Sequence, residues 1–255
     1  NFLSRSQTWI PLVALMIGAI AGLIDDFYTI RDTGEGIPLN VRLWIVVLLA
    51  GILGFWFYAK LDVSSVNIPF ASPLELGWLV IPFFILLSLA VYASGVIDGI
   101  DGLSGSVFIS IFTAYAIIAF AQNQIDLAAF TASIVGGLLA FLWFNIPPAR
   151  FYMSDTGTMA LTLALAVIAF MTDSLGDGFG IAALPVVGAL LVVTVASNIL
   201  QVIWKKVFGR KLLRVAPLHH HFEAIGWPGY KVTMRYWVLS IIFAFLGVIL
   251  ALSAL

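Results

Sequence analysis

The stretch Asp98-Gly99-Ile100-Asp101-Gly102 sets two carboxylates three residues apart between glycines. In a helix such a pair shares one face, and the glycines let backbone or ligand come close. Three more polar clusters interrupt an otherwise apolar chain: Asp25-Asp26, Ser154-Asp155-Thr156-Gly157 and His219-His220-His221. Uncompensated carboxylates in such surroundings are costly, so they are functional candidates. Acidic pairs suit a hard divalent cation such as Mg²⁺, which takes one or two carboxylates plus substrate phosphates. Asp25 and Asp26, adjacent on a helix, point about 100° apart, so one ligates or acts as base while the other orients it. Interfacial carboxylates capping a loop are the plain alternative. Asp155 alone reads as an ordinary helix cap; with four other aspartates on its side, a metal-ligand role outranks the cap. Consecutive histidines cannot all face one point. Zinc prefers spaced ligands, so the triplet points to phosphate contact or proton handling.

The remainder of the chain must position these groups, and it is built for a bilayer. Of 255 residues, 62% are hydrophobic and 10% charged, against about 25% charged in an ordinary soluble domain. Apolar runs of ~20 residues recur, the length of a membrane-crossing helix. The alternating ~10-residue segments of a transmembrane barrel do not occur. The pattern predicts an all-α polytopic transmembrane bundle, one integral membrane domain over residues 1–255. Its eight spans fall near 8–24, 41–59, 77–97, 104–121, 127–145, 157–172, 179–204 and 236–255. The third, fourth and seventh are open to a break or tilt. Gly18, Gly22, Gly136 and Gly137 suit close helix packing. With no cysteine, disulfides, thiol catalysis and thiolate metal sites are excluded. No signal peptide is expected, because the first apolar run ends in two aspartates. No nucleic-acid partner is expected either.

Alternation of the spans puts loops 25–40, 98–103, 146–156 and 205–235 on one side. The start, 60–76, 122–126 and 173–178 fall on the other. The first side holds Arg31, Arg150, Lys205, Lys206, Arg210, Lys211, Arg214, Lys231 and Arg235, with Arg42 just inside the adjoining helix. The second holds Arg5 and Lys60. Positive residues mark the cytoplasm. All four polar clusters fall on that side, although they played no part in drawing the spans, so one composite site is expected. For Lys205, Lys206 and Lys211, anionic-lipid contact and a nucleotide-phosphate role stand level. The outer stretch Val66-Asn67-Ile68-Pro69-Phe70, followed by Pro73, is expected to form a small hairpin or cap. Aspartates, a divalent cation and basic groups are the parts of phosphoryl transfer. No Walker loop or kinase motif occurs, and a lipid acceptor could arrive laterally from the bilayer.

These blocks resemble the polyprenyl-phosphate N-acetylhexosamine-1-phosphate transferase superfamily and, within it, the phospho-N-acetylmuramoyl-pentapeptide transferases. The resemblance is carried by Gly22-Leu23-Ile24-Asp25-Asp26, by Asp98 to Leu103, by Phe151-Tyr152-Met153-Ser154-Asp155-Thr156-Gly157 and by Ala216-Pro217-Leu218-His219-His220-His221-Phe222-Glu223. Gly226-Trp227, Lys231-Val232, Arg235-Tyr236-Trp237 and the Val66–Phe70 stretch match as well. The His-rich block followed by Phe-Glu marks the muramoyl-pentapeptide branch. The resemblance implies a Mg²⁺-dependent enzyme, multi-pass in the bacterial cytoplasmic membrane, with its active site on the cytoplasmic side. UDP-N-acetylmuramoyl-pentapeptide and undecaprenyl phosphate would give lipid I and UMP in peptidoglycan synthesis. It also leaves room for a homodimer. Asp155 would ligate Mg²⁺. Asp25 would be the candidate base, with Asp26 beside it. Asp98 and Asp101 would organise the nucleotide and diphosphate. His219 and His220 would lie near metal and substrate, with His221 and Lys211 as further substrate-binding candidates. Covalent attack by a carboxylate and direct attack by the lipid phosphate both fit.

The family pattern has ten spans, so this chain is expected to lack the first two. Tyr92 and Gly95 stand where asparagines precede the central aspartates, Thr29 near an expected lysine, and Thr194 near an expected acidic residue. A sister enzyme using UDP-N-acetylglucosamine and a truncated, inactive membrane scaffold are the alternatives.

Overall fold

The computed structural model describes residues 8–33, 36–176 and 178–253. Arg5, counted above on the sparsely charged side, lies outside the described residues. The helices are α1 (Trp9–Tyr28), α2 (Leu39–Leu61), α3 (Val80–Ala93), α4 (Leu103–Ala121), α5 (Ile125–Asn145), α6 (Ser154–Ser174), α7 (Gly180–Val187), α8 (Ala189–Phe208), α9 (Leu218–Ala224) and α10 (Gly229–Leu252). Two short strands, β1 (Ser65–Val66) and β2 (Leu74–Glu75), pair antiparallel and form the hairpin expected between the second and third spans. Among the described residues, eight helices are long and apolar enough to cross a membrane.

Helices α4 and α6 are the pillars, with most of their side chains buried, while α2, α8 and α10 turn most of their apolar surface outward. In lipid there is no hydrophobic drive between helices, so close backbone approach and polar contacts hold them together. The contact of α1 with α6 shows this. Pro11, Ala14, Gly18, Gly22 and Asp25 form the buried stripe of α1, at the three- and four-residue spacing of one helix face. A Cβ on Gly22 would lie 2.1 Å from the carbonyl oxygen of Asp155, and one on Gly18 would lie 2.7 Å from that of Met159. Only glycine permits that approach, and the same stripe aims Asp25 at the start of α6. Elsewhere Phe57, Phe84 and Phe170 lock α2, α3 and α6, with ring centroids 4.7 to 5.4 Å apart; such tilted ring pairs add to apolar packing.

Four boundaries depart from the sequence reading or refine it. Asp25 and Asp26 do not end the first helix. They lie inside its last turn, because both carboxylates find donors beyond α1, and a π-type turn over Thr29–Thr33 follows. The seventh apolar run breaks at Gly188 into α7 and α8, with Pro185 inside α7, where its ring removes an amide donor from the ladder. The third span is shortened by 3₁₀ turns at both ends, Gly77–Leu79 and Ser94–Ile97, whereas the fourth is continuous. The last span begins at Gly229, so Lys231 and Arg235 sit on α10 and not in a loop. Both cations lie over the Trp227 ring, 5.2 and 4.1 Å from its centroid, a contact that suits charge at a helix start near the interface.

Candidate active site

Asp25 and Asp26 diverge as adjacent helical residues must. Asp25 is buried. Its Oδ1 accepts the amide of Ile37 at 2.6 Å and its Oδ2 accepts Nη1 of Arg42 at 2.9 Å. Asp26 instead caps α6. It accepts the backbone amides of Asp155 (3.1 Å) and Thr156 (2.9 Å), the Ser154 hydroxyl (2.6 Å) and the Thr156 hydroxyl. A carboxylate at a helix N-terminus satisfies orphan amides and complements the dipole. The cap that the sequence offered for Asp155 is therefore supplied by Asp26. Asp155 is left free to turn toward Arg42, whose same Nη1 lies 3.3 Å from its Oδ2.

The 3₁₀ turn Ser94–Ile97 delivers Asp98 to the opposite wall. Its two oxygens accept the Ser104 hydroxyl (2.6 Å) and the Ser154 amide (3.0 Å). Burial pushes its carboxyl above the ordinary value, the two hydrogen bonds pull the other way, and the nearby Asp26 charge adds to the rise. Asp101 accepts the Ala149 amide at 3.0 Å, tying this loop to the segment before α6. Asn145 closes the same joint: its Oδ1 accepts the Gly102 amide (2.9 Å) and its Nδ2 donates to the Phe151 carbonyl (3.0 Å). Gly102 adopts φ +77°, which favours glycine. A cleft of about 450 Å³ opens here, lined by Asp98, Asp101, Asn145, Tyr152, Asp155 and Thr158 among others.

Two imidazoles sit over this loop. A Cβ on Gly99 would fall 2.7 Å from Nε2 of both His219 and His220, so the glycine is what lets the short helix α9 approach. Glu223 Oε2 lies 2.7 Å from His220 Nδ1. A carboxylate accepts, so Nδ1 carries a proton and the ring is fixed with Nε2 toward Gly99. His219 is buried, with neither ring nitrogen paired within the protein. Burial, with a smaller contribution from His220, lowers its pKa to about 4, so at neutral pH it is an uncharged imidazole.

The structure thus gathers Asp25, Asp26, Asp98, Asp101, Asp155, His219 and His220 at one end of the bundle. His221 turns away, accepting the Arg214 amide at Nδ1 (3.1 Å), because successive residues of α9 cannot share a direction. Lys211 is exposed in the strap between α8 and α9 and does not line the cleft. Among the described residues no three His, Asp or Glu side chains cluster closely enough to hold a metal by themselves. The sequence reading passed over Asn145 and Ser104, and placed Arg42 only as a positive charge at a span end. The available signals were a lone arginine in the first turn of α2 and a lone asparagine closing α5.

Comparison with known proteins shows the family of the chain. A model for glycosyl transferase family 4 matches residues 8–173. A phospho-N-acetylmuramoyl-pentapeptide-transferase of Listeria monocytogenes serotype 4b is 32% identical over 248 residues, covering 95% of this chain and 74% of its own length. Enzymes of the same name from Latilactobacillus sakei (34% over 244 residues; 93% and 73%) and Anoxybacillus flavithermus (34% over 252 residues; 97% and 76%) are similarly close. The chain therefore belongs to glycosyl transferase family 4, among the phospho-N-acetylmuramoyl-pentapeptide-transferases.

Proposed function

We propose that the chain transfers phospho-N-acetylmuramoyl-pentapeptide from UDP to undecaprenyl phosphate, giving lipid I and UMP. One observation carries this reading: two carboxylates from different helices share one cation beside a polar cleft, and Gly99 in the cleft wall packs against two imidazoles. That is the equipment of phosphoryl transfer, in which positioning and charge stabilisation do most of the catalysis. An oxygen of the lipid phosphate attacks the sugar-bearing phosphorus, and the bond to UMP breaks. Asp98 and Asp101 hold the floor of the cleft. His220, oriented by Glu223, and neutral His219 back the Gly99 wall of the cleft and set its shape. Both oxygens of Asp25 are engaged and Asp25 does not line the cleft, so we assign it to holding Arg42 and not to proton removal.

The donor set fits Mg²⁺. Asp155 lines the cleft and Asp25 shares its cation partner, and Mg²⁺ is typically held by one or two carboxylates together with substrate phosphates. Bound there, it would neutralise the diphosphate charge. An apolar groove of about 550 Å³ runs between α3, α6, α7 and α8, lined by Leu87, Val91, Ser94, Leu184, Leu191 and Ile199. Ser94 begins the turn that leads to Asp98, so a polyprenyl chain in this groove would present its phosphate to the cleft. The basic strap from α8 to α10 lies at the same end as the site, since α9 belongs to it. By the positive-inside rule that end faces the cytoplasm.

The test is UMP release by membranes carrying the chain, with Mg²⁺, undecaprenyl phosphate and either UDP-N-acetylmuramoyl-pentapeptide or UDP-N-acetylglucosamine. Release with the first sugar only, abolished by Asp155→Asn, is expected. Equal release by wild type and Asp155→Asn would refute the reading.

A further inference from the structure

Arg42 stands at the first turn of α2, the end of a helix where a cation is least welcome. It nevertheless reaches across to two aspartates with a single nitrogen, 2.9 Å from Asp25 and 3.3 Å from Asp155. Arginine normally meets a carboxylate as a two-pronged fork. Here neither carboxylate receives the fork, and Nε is buried without a partner. The guanidinium is therefore placed where positive charge is needed, at the expense of its own hydrogen bonding. The two contacts are also unequal. Asp25 is pinned by Ile37 and buried, whereas Asp155 is partly open to the cleft and its contact is the longer one.

We propose that Arg42 is a built-in counter-cation that occupies the position between Asp25 and Asp155, competes with the divalent cation for Asp155, and gives way to it when the cation binds. This rests on the magnesium reading above. Two carboxylates that close to each other repel unless a positive charge lies between them. Arg42 supplies that charge before the divalent ion arrives and so keeps both side chains aimed at one point. The entering ion meets like charge at contact range, so its apparent affinity is held down. On its arrival the guanidinium keeps Asp25 and releases Asp155. That frees its remaining donors for the phosphate groups of the incoming substrate, so loading of metal and capture of diphosphate become coupled.

The experiment is Mn²⁺ binding to the purified full chain in detergent without nucleotide, followed by the loss of free-ion electron paramagnetic resonance signal. Arg42→Gln, which keeps length and loses charge, is expected to bind Mn²⁺ about tenfold tighter than wild type or more. Arg42→Lys, which keeps the charge, should stay within about threefold of wild type. Asp155→Asn should abolish saturable binding in either background. If Arg42→Gln binds no more tightly than wild type, or if Arg42→Lys tightens as much as Arg42→Gln, the counter-cation role is overturned while the magnesium site stands. If wild type and Arg42→Gln both fail to bind Mn²⁺, the magnesium reading falls and this inference with it. Melting temperatures within a few degrees of wild type identify variants that are folded.

Discussion

Helix α6 has a carboxylate near each end, Asp155 half-buried and Asp173 fully buried, and the two could hardly be used more differently. At its N-terminus, Asp155 faces Arg42, Asp25 and a cleft of about 450 Å³. At its C-terminus, Asp173 is fully buried and accepts only backbone amides, from Asn67 (2.9 Å) and Ile181 (3.1 Å). Around it, three side-chain amides take three successive terminal carbonyls of α6. Gln124 donates to Met171, Gln122 to Thr172 and Asn67 to Asp173, at 2.7 to 3.1 Å. Helix ends leave orphan carbonyls that must be paired when buried. Among the described residues, the Asp173 end therefore has its last α6 carbonyls paired and no cation beside the carboxylate. The Asp155 end is capped from outside by Asp26 and keeps its own carboxylate available. Burial of an acid does not mark a functional site; a shared cation beside an accessible cleft does.

The sharpest break in this comparison is Asp155→Asn against Asp173→Asn. The first should lower UMP release by about 10³-fold with little change in melting temperature, the scale expected on losing a group that stabilises transition-state charge. The second should leave release within about threefold while costing roughly 1–3 kcal/mol of stability, read by thermal denaturation in detergent. Gly99→Ala comes next. Its methyl would displace both imidazoles by contact, and misplacement on the scale of 1 Å is worth about 10²-fold in rate. Its melting temperature should hold, and a rate equal to wild type would remove the histidines from the site. Asp26→Ala takes away the α6 cap and should cost roughly 1–2 kcal/mol, and with it part of the activity, because Ser154 and Asp155 are set by that cap. Asn67→Ala, at the Asp173 end, should cost about 1 kcal/mol and leave turnover unchanged.

The smallest effect is one of pH. His219 is neutral in the folded chain down to about pH 4, whereas an exposed histidine takes its proton near pH 6.5. Above 6.5 both states are neutral and nothing depends on pH. As pH falls from 6.5 toward about 4, the unfolded chain binds a proton that the folded chain refuses, so stability declines. His219→Gln should flatten that decline in a melting-temperature series between pH 7 and 4.5.

The membrane helices were legible because a bilayer demands them. A chain without water around its backbone must pair every amide internally, and apolar runs of spanning length admit few other outcomes. The positions of Asp25, Asp98, Asp155 and the histidines at span ends were legible for the same reason. Less legible were the place at which the seventh run breaks, Gly188, and the start of α10 ahead of Lys231 and Arg235, which lie over the Trp227 ring.

What the sequence by itself determined is which residue types reach one end of the bundle. What only the tertiary structure decided is what each of them does there. Asp25 and Asp26 are chemically identical neighbours, yet one holds a guanidinium and the other caps a helix. The difference comes from the rotation of α1, and that rotation is set by how closely Gly18 and Gly22 let it lie on α6. Direction around a helix axis is a property of packing between elements, and no reading along a single chain contains it.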